Sequence, residues 1–354
     1  MMMMGWWRER GPVAVMVAAD VGFAVMNVMI KKVIDEGMDR LVIVTLRQLV
    51  ATFFMAPIAF FYKRKTRPKL TGEIFVYLFF SALFGASLPQ YLFFVGLQYT
   101  SATFSCAFLN MAPIFTFLIA LPLRLETLDL KSKAGMSKLL GTITCLSGAI
   151  LLTLYQGPVL PHKHSTQTLI KPYHMGYSSN TKQWMVGSIA LLAGCLCWAS
   201  WFLLQSKVCK KYPAIYSATA LIFSLSFVQA TAFSLATQKS ISVWVLKKKL
   251  EIITVVFSGV VGSGLGFLAM SWCVGKRGPV FTAAFTPLIQ IMVAAFDFSI
   301  LHEQLHLGSI LGSALVIMGL YFLLWGKSKE AQLSNGVKPN EEHVEQPPVQ
   351  VQTV

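Results

Sequence analysis

The sequence is poor in charge. Asp, Glu, Lys and Arg make up 13% of its 354 residues, about half of the roughly 25% typical of soluble domains. This scarcity excludes a chain that lies mostly in water. Lys and Arg outnumber Asp and Glu by 30 to 15, which could suggest nucleic acid. These cations lie in short segments between apolar runs, where they indicate membrane orientation and anionic headgroups. We therefore expect the lipid bilayer, and no nucleic acid, as a partner.

Residue combinations that support catalysis or metal binding are also scarce. We find no Ser–His–Asp set, no paired acid and base carboxylates and no metal-ligand cluster. The six cysteines lie within or at the ends of apolar segments, which predicts buried thiols rather than a disulfide framework. His302 and His306 are four residues apart, but no further ligands accompany them. We expect neither an enzyme nor a cofactor or metal.

Hydrophobic residues form 55% of the chain and gather in ten segments, each long enough to cross a hydrocarbon core of roughly 30 Å. This predicts an all-α, multi-pass integral membrane protein with ten transmembrane helices. Apolar runs do not specify the membrane, which we expect to be the plasma or vacuolar membrane. The first segment follows Arg8 and Arg10, as a signal peptide would, but its length favours an uncleaved helix. The predicted spans are residues 12–34, 41–62, 73–96, 101–123, 137–156, 183–206, 213–236, 251–273, 280–301 and 307–326.

The two halves of the chain repeat one pattern. Pro113 and Pro287 lie in equivalent spans 174 residues apart, and Gly85 and Gly262 lie 177 apart. Two glycines seven residues apart then follow in each half: Gly141 and Gly148, and Gly312 and Gly319. A nearly constant offset indicates an internal duplication. Each copy has five spans, an odd number, so the second copy enters from the opposite side. This predicts inverted repeats, the geometry of alternating access.

The repeats divide the chain into five parts: a cytosolic head, 1–11; a first five-helix repeat, 12–156; a linker loop, 157–182; a second five-helix repeat, 183–326; and a disordered cytosolic tail, 327–354. With both termini in the cytosol, the cytosolic segments and nearby helix ends hold 19 Lys and Arg, the opposite ones hold 10, and Arg47 is the thirtieth. The excess favours this orientation. Lys247 to Lys249 form the main contrary signal.

An ordered set of short stretches resembles a known family. They are Gly22–Asn27, Gly37–Met38, Arg47 with Ala51–Thr52, Ala56–Phe60, Asn110-x-x-Pro113, Arg124-x-Glu126, Gly141–Thr142, Glu303-x-Leu305-x-x-Gly308–Ser309 and Gly319–Lys327. Together they resemble the EamA-like, nodulin-type branch of the plant drug/metabolite transporter superfamily, which includes walls-are-thin-related and UMAMIT transporters. The resemblance implies two EamA-like repeats and the facilitated or proton-linked movement of amino acids, auxin or related metabolites.

Three positions depart from the family pattern and bear on substrate and coupling rather than fold. Leu46 precedes the arginine of the second span, where a tyrosine is usual. Asp20 stands where the first span usually has glutamine. Asp297 stands where the ninth span commonly has a small polar residue.

Two charged residues inside predicted spans are the first candidates for the site. A charge at this depth costs about 2.5–3.5 kcal/mol on insertion scales. Asp20 is mid-span, with Asn27 on the same helix face, and the pair predicts either a polar stripe facing a solute cavity or an interhelical hydrogen bond. Arg47 could pair with Asp20, bind a carboxylate solute, or extend to the membrane surface. Their counterparts in the second repeat are Cys195 and Ile222, which argues against a purely duplicated structural role.

Six further polar side chains could orient a solute or simply hydrogen-bond between helices. They are Gln90 and Gln98 in the third span, Asn110 in the fourth, and Thr286, Gln290 and Asp297 on one face of the ninth. Asp297 is also a candidate proton site. Glu126 and Glu303, near helix ends, are interpreted as structural, and Gly262-x-Gly264-x-Gly266 as close helix packing.

These patterns predict a secondary transporter for small organic solutes, amino acids or auxin-like acids, with protons as a candidate coupling ion. Two alternatives stay open. One is a sugar-phosphate or nucleotide-sugar transporter of the same fold, and the other is a non-transporting membrane scaffold. The oligomeric state is also left open by the sequence.

Overall fold

The described part of the chain forms ten helical segments, one for each predicted span. The computed structural model describes residues 2–62, 68–100, 105, 108–126, 131–155, 181–237, 244–246, 248–300 and 307–336, and these contain no strand. The segments are α1 Met2–Asp35, α2 Arg40–Phe61, α3 Gly72–Tyr99, α4 Ala112–Ala120, α5 Lys133–Leu154, α6 Thr181–Lys211, α7 Ile215–Thr237, α8 Lys249–Arg277, α9 Pro279–Ala283 continued by Thr286–Ile300, and α10 Leu307–Gly336.

The predicted all-α membrane fold is confirmed. Nine helices among the described residues are long and apolar enough to cross a membrane, and a shorter apolar helix, Phe108–Ala120, occupies the fourth predicted span. Large apolar side chains cover the outside of the bundle; Phe53, for example, is 71% exposed. An apolar exterior is the surface that lipid requires, because a polar group exposed to hydrocarbon finds no partner for its hydrogen bonds.

The chain ends differ from the prediction. The predicted head is part of α1, which begins at Met2. The predicted disordered tail is wrong from 327 to 336, because α10 continues to Gly336. Residues 328–335 hold no proline and several good helix formers, and a glycine ends the helix. The linker, apart from Thr181 and Lys182, lies outside the described residues, as do 337–354, Glu303 and both histidines of the 302–306 turn.

Helices from the two halves alternate within one bundle. The α5 helix packs along α10, and α2 packs along α7. The contact of α3 with α6 is repeated by α8 with α1, and the contact of α4 with α6 is repeated by α9 with α1. Exchanging the halves therefore leaves the pattern of neighbours unchanged, as the predicted inverted repeat requires.

Each half also has a π-helical segment at an equivalent place: Leu83–Ser87 in α3 and Ser258–Gly266 in α8, which begin 175 residues apart. A glycine in each segment lets a large side chain approach closely. A Cβ on Gly85 would lie 2.2 Å from Trp201 Cδ1, and one on Gly262 would lie 2.2 Å from Met26 Sδ. Met26 and Trp201 are themselves 175 residues apart. The sequence motifs thus mark a duplicated packing contact.

The two contacts are expected to respond unequally to the same substitution. Gly85→Ala should destabilise the protein by about 2–3 kcal/mol, because Trp201 is fully buried and stacked on Trp198. Gly262→Ala should cost about 1 kcal/mol or less, because the flexible Met26 side chain can move aside. Thermal unfolding of the two purified variants checks this. Equal losses would show that the π-helical backbone, rather than its partner side chain, limits the space.

The closest helix pair, α5 and α10, is in backbone contact. A Cβ on Gly319 would lie 2.3 Å from the Cys145 nitrogen, and one on Gly148 would lie 2.6 Å from the Val316 nitrogen. A Cβ on Gly141 would lie 2.7 Å from the Gly319 oxygen. Small residues that let two backbones touch are typical of helix association in membranes, where apolar side chains gain nothing from leaving lipid. The glycines that revealed the repeat therefore also join its two copies.

Candidate functional site

Several polar side chains in the bundle have buried atoms without a hydrogen-bond partner. Four of these side chains were predicted from the sequence: Asp20, Arg47, Gln90 and Asn110. They come from the first four helical segments of the chain. Buried polar atoms in proteins are normally paired, so these four mark places where a solute, an ion or water has something to bind.

Asp20 lies about the middle of α1, nine residues after the start of the apolar span at Gly11. It is 1% exposed, and both carboxylate oxygens lack a partner. Met16 and Ala24, one turn away on either side, are buried with it. The helix face that carries them packs on α8 and α9. Asn27 shares this face by its spacing, but its side chain is exposed, so the two do not form a uniformly buried stripe.

Arg47, on α2, is also buried, at 7% exposure, and its side chain reaches Met26 on α1. Its Nη1 donates to Met26 Sδ at 3.7 Å, a weak acceptor, and its Nε has no partner. Among the described side chains it forms no ion pair, so the possible Asp20–Arg47 pair is absent in this conformation. Six residues of helix, about 9 Å of axial rise, separate Met26 from Asp20.

Asn110 and Gln290 join α4 to α9. The Asn110 Nδ2 donates to the Gln290 Oε1 at 2.8 Å, and the Asn110 Oδ1 is unpartnered. A small cavity beside them, which we call the inner cavity, has a volume of about 10 Å³, room for about one water. It is lined by Asn110, Pro113, Ile114, Thr142, Cys145, Leu146, Val280, Ala284 and Leu323. The amide therefore makes the predicted hydrogen bond between helices, and its oxygen is left without a partner; a role in orienting a solute stays a prediction.

The remaining predicted residues are dispersed. Gln90 is half-buried with its Oε1 unpaired, whereas Gln98, at the end of α3, is exposed. Thr286 is half-buried in the first turn after the break in α9. Asp297 lies in α9, but its side chain is outside the described part of the structure.

Two buried glutamines were missed by the sequence analysis. Gln205 on α6 accepts from Ser81 Oγ at 3.1 Å and donates to Ser271 Oγ at 2.9 Å, and so ties α3, α6 and α8 together. Gln48 donates at 3.0 Å to the Ala86 carbonyl in the π-helical segment of α3. Gln48 directly follows Arg47, and both glutamines interrupt apolar runs, a signal that could have identified them.

An ion cluster lies at one end of the bundle, which we call the Glu126 end. Glu126 is 6% exposed, accepts a hydrogen bond from Lys327 and lies 3.6 Å from Lys138 Nζ. Lys138 also contacts Glu330 at 2.7 Å, and Lys327 donates to the Arg277 carbonyl at 3.4 Å. The cluster joins α5, α10, the end of α8 and the segment after α4, which agrees with the structural interpretation of Glu126.

A larger cavity opens beside this cluster, and we call it the vestibule. Its volume is about 260 Å³, close to the lower limit for small-molecule sites, roughly 300 Å³. It is lined by Leu125, Ser206, Cys209, Lys210, Val274, Gly275, Gly278 and Pro279. The ends of α6 and α8 and the start of α9 thus surround an opening large enough for a small organic molecule.

Comparisons with known proteins identify the fold and the family. Two stretches, residues 11–154 and 185–325, match the EamA-like transporter family. WAT1-related protein At3g30340 of Arabidopsis thaliana is 48% identical over 322 residues, 91% of this chain and 88% of that protein. WAT1-related protein At4g01440 of the same plant is 47% identical over 318 residues, 89% of this chain and 86% of that protein.

A solved crystal structure has the same fold. It is 11% identical in sequence, has a TM-score of 0.67, and the match covers 91% of this chain and 99% of the other. The family match spans both predicted repeats, and the identity to the plant relatives extends over nearly the whole chain. The chain therefore belongs to the EamA-like transporter family, and it is an integral, multi-pass membrane transporter of the drug/metabolite type.

Proposed function

We propose that the protein is a secondary transporter that moves small organic acids, amino acids or auxin-like acids, by alternating access. The observation that carries this proposal is the set of buried, unpartnered polar atoms on Asp20, Arg47 and Asn110. A carboxylate solute would supply the negative partner that Arg47 lacks, and guanidinium favours binding a carboxylate through two parallel hydrogen bonds. An ammonium group would do the same for Asp20, and polar solute atoms for the Asn110 oxygen.

The closed inner cavity is consistent with a solute that enters only when helices move. Its volume of about 10 Å³ is too small for any amino acid, since even one water needs roughly that much. Inverted repeats provide two related arrangements of the bundle, each open to one side. We propose that Asn110 and Gln290 meet the solute as this interface separates, and that the hydrogen bond between them re-forms when it leaves.

The charge of the site favours a carboxylate over a phosphate. Arg47 is the cation among the four predicted side chains with unpartnered buried atoms, and Asp20 adds a carboxyl group rather than a second cation. A sugar phosphate or nucleotide sugar, with its greater negative charge, would be neutralised only in part by Arg47. A non-transporting scaffold would gain nothing from leaving these groups unpaired, because each one costs stability.

Uptake into proteoliposomes tests this function. We expect the purified protein to carry a labelled neutral amino acid or indole-3-acetic acid, and not a nucleotide sugar. Arg47→Met, which keeps the apolar volume, should lower carboxylate uptake by about tenfold or more, the loss expected for a hydrogen bond to a charged group.

Arg40→Met is the matched control. Arg40 begins α2, seven residues before Arg47, and its guanidinium carbon lies 6.0 Å from the Phe94 ring. We expect near-normal uptake by this variant. Nucleotide-sugar uptake, or carboxylate uptake that Arg47→Met leaves intact, would overturn the proposed substrate class.

A further inference from the structure

The first part of α9 separates the vestibule from the inner cavity. This short helix, Pro279–Ala283, lines the vestibule with Pro279 and the inner cavity with Val280. Ala284, directly after it, also lines the inner cavity. The short helix and the residue after it therefore form part of the wall of both cavities.

The short helix is bounded by a backbone break on each side. Gly278 has φ +88° and ψ 170°, a combination open essentially to glycine alone. At the other end, the helix stops at Ala283, and α9 resumes at Thr286, ahead of Pro287. Breaks of this kind absorb backbone rotation, so the short helix can move while the longer part of α9 stays in place.

The ion cluster at the Glu126 end holds the first of these breaks. A Cβ placed on Gly278 would lie 3.6 Å from Glu126 Oε1 and 3.8 Å from Lys327 Nζ. Lys327 also donates to the carbonyl of Arg277, the residue before Gly278. The paired side chains thus contact the backbone on which the short helix would turn.

We infer that Pro279–Ala283 is a gate between the vestibule and the inner cavity, and that Glu126 and Lys327 are positioning residues that hold it closed. The inference rests on the proposed function for its purpose, because a gate serves a transported solute. Its test requires no solute. A protein with the gate but no amino acid or auxin uptake would contradict the proposed function alone, and one with uptake but no gate would contradict this inference alone.

Two native cysteines lie on opposite sides of the short helix and report its opening. Cys209 lines the vestibule and Cys145 lines the inner cavity, and both are free thiols. Labelling with a membrane-impermeant maleimide, followed by peptide mapping, gives a separate rate for each. In the wild type we expect Cys209, which is half-buried, to react faster than Cys145, which is buried.

Glu126→Gln and Lys327→Gln should each raise the labelling rate of Cys145 by about tenfold, the population change that about 1.4 kcal/mol produces, and leave the rate of Cys209 unchanged. Glu73→Gln is the matched control, because it breaks another Glu–Lys pair, with Lys211, that is exposed and does not contact Gly278. It should change neither rate. An unchanged Cys145 rate in both test variants, or an equal rise in Glu73→Gln, overturns the inference.

Labelling of the buried Cys195 and Cys273 would show that a variant has unfolded. In that case a second measurement, which uses a cross-link instead of these variants, tests the gate. Leu125→Cys with Pro279→Cys places two thiols across the vestibule, where a short bis-maleimide can join them. The bridge should slow Cys145 labelling at least about fivefold, since it removes the opening motion. A bridged protein in which Cys145 reacts at its original rate also overturns the inference.

Discussion

Asp20→Asn is expected to leave the transporter folded and active but to remove the pH dependence of its uptake. The carboxylate is 1% exposed and has no partner for either oxygen. Because a charge at this depth costs about 2.5–3.5 kcal/mol, the side chain needs a proton or a cationic group of the solute at each stage. If the two alternate, proton movement and solute movement are linked.

The second repeat supports this role for Asp20. Its counterpart, Cys195, donates a hydrogen bond to the Phe108 carbonyl at 2.9 Å, four residues before α4 begins at Ala112. Asp20 occupies the related place in α1, which packs on the broken α9. A carboxyl group can donate there only when it carries a proton. Asparagine keeps the size of the side chain and can always donate a hydrogen bond. The variant should therefore behave like a wild-type protein in which Asp20 stays protonated at every pH.

Initial uptake rates over about pH 5–8 test the prediction. The wild type should vary by about tenfold or more across this range, and Asp20→Asn by less than about twofold. Asp35→Asn, at the exposed end of the same helix, should keep the wild-type profile. If Asp20→Asn also keeps that profile, Asp20 is not the proton site, and a packing role would be the simpler interpretation.

Gly319→Ala is expected to have the largest effect on stability among the substitutions considered. The new methyl group would lie 2.3 Å from the Cys145 nitrogen and 2.7 Å from the Gly141 oxygen. All the nearest atoms are backbone, so no side-chain rotation can relieve the overlap, and α5 and α10 must separate. We expect a loss of roughly 3 kcal/mol, the upper part of the usual range for overpacking, and a fall in melting temperature on the order of 5 °C.

Gly72→Ala is the control for Gly319→Ala. Gly72 begins α3, and a Cβ there would have no neighbour within 4 Å. Its melting temperature should stay within about 1 °C of the wild type. Unfolding in detergent, followed by near-UV circular dichroism, compares both variants with the wild type. A Gly319→Ala protein as stable as Gly72→Ala would mean that the α5–α10 contact can widen at no cost.

Much of the fold could be predicted because the bilayer leaves few choices. Apolar runs of about 20 residues have to be helices, and the nearly constant offset shared by Pro113 and Pro287, Gly85 and Gly262 and the later glycine pairs revealed the duplication. The π-helical segments were not predicted, because Gly85 and Gly262 give the same local signal in any close helix contact. The extension of α10 was missed because a polar helix such as 328–336 lacks an apolar stripe.

The site was predicted less completely. Asp20, Arg47 and Asn110 were recognised because polar groups are rare in apolar spans. Their relation was not, since the distance between Asp20 and Arg47 depends on how α1 and α2 each pack against α8. Gln205 was missed for a related reason. Its importance comes from Ser81 and Ser271, which are distant in sequence and meet it only in the folded bundle.

The backbone contact between α5 and α10 has a consequence for how the protein is made. Gly141 precedes its contact Gly319 by 178 residues, so at roughly 5–20 residues per second the ribosome needs about 9 to 36 s to supply the partner of α5. Throughout that interval the glycine face of α5 must remain in the membrane without α10, and Asp20 and Arg47 must remain there without the helices of the second half. We therefore expect the incomplete bundle to depend most on membrane insertion factors at mid-synthesis. A ribosome that stalls in the second half would leave a partial protein in the membrane with its interior exposed to lipid.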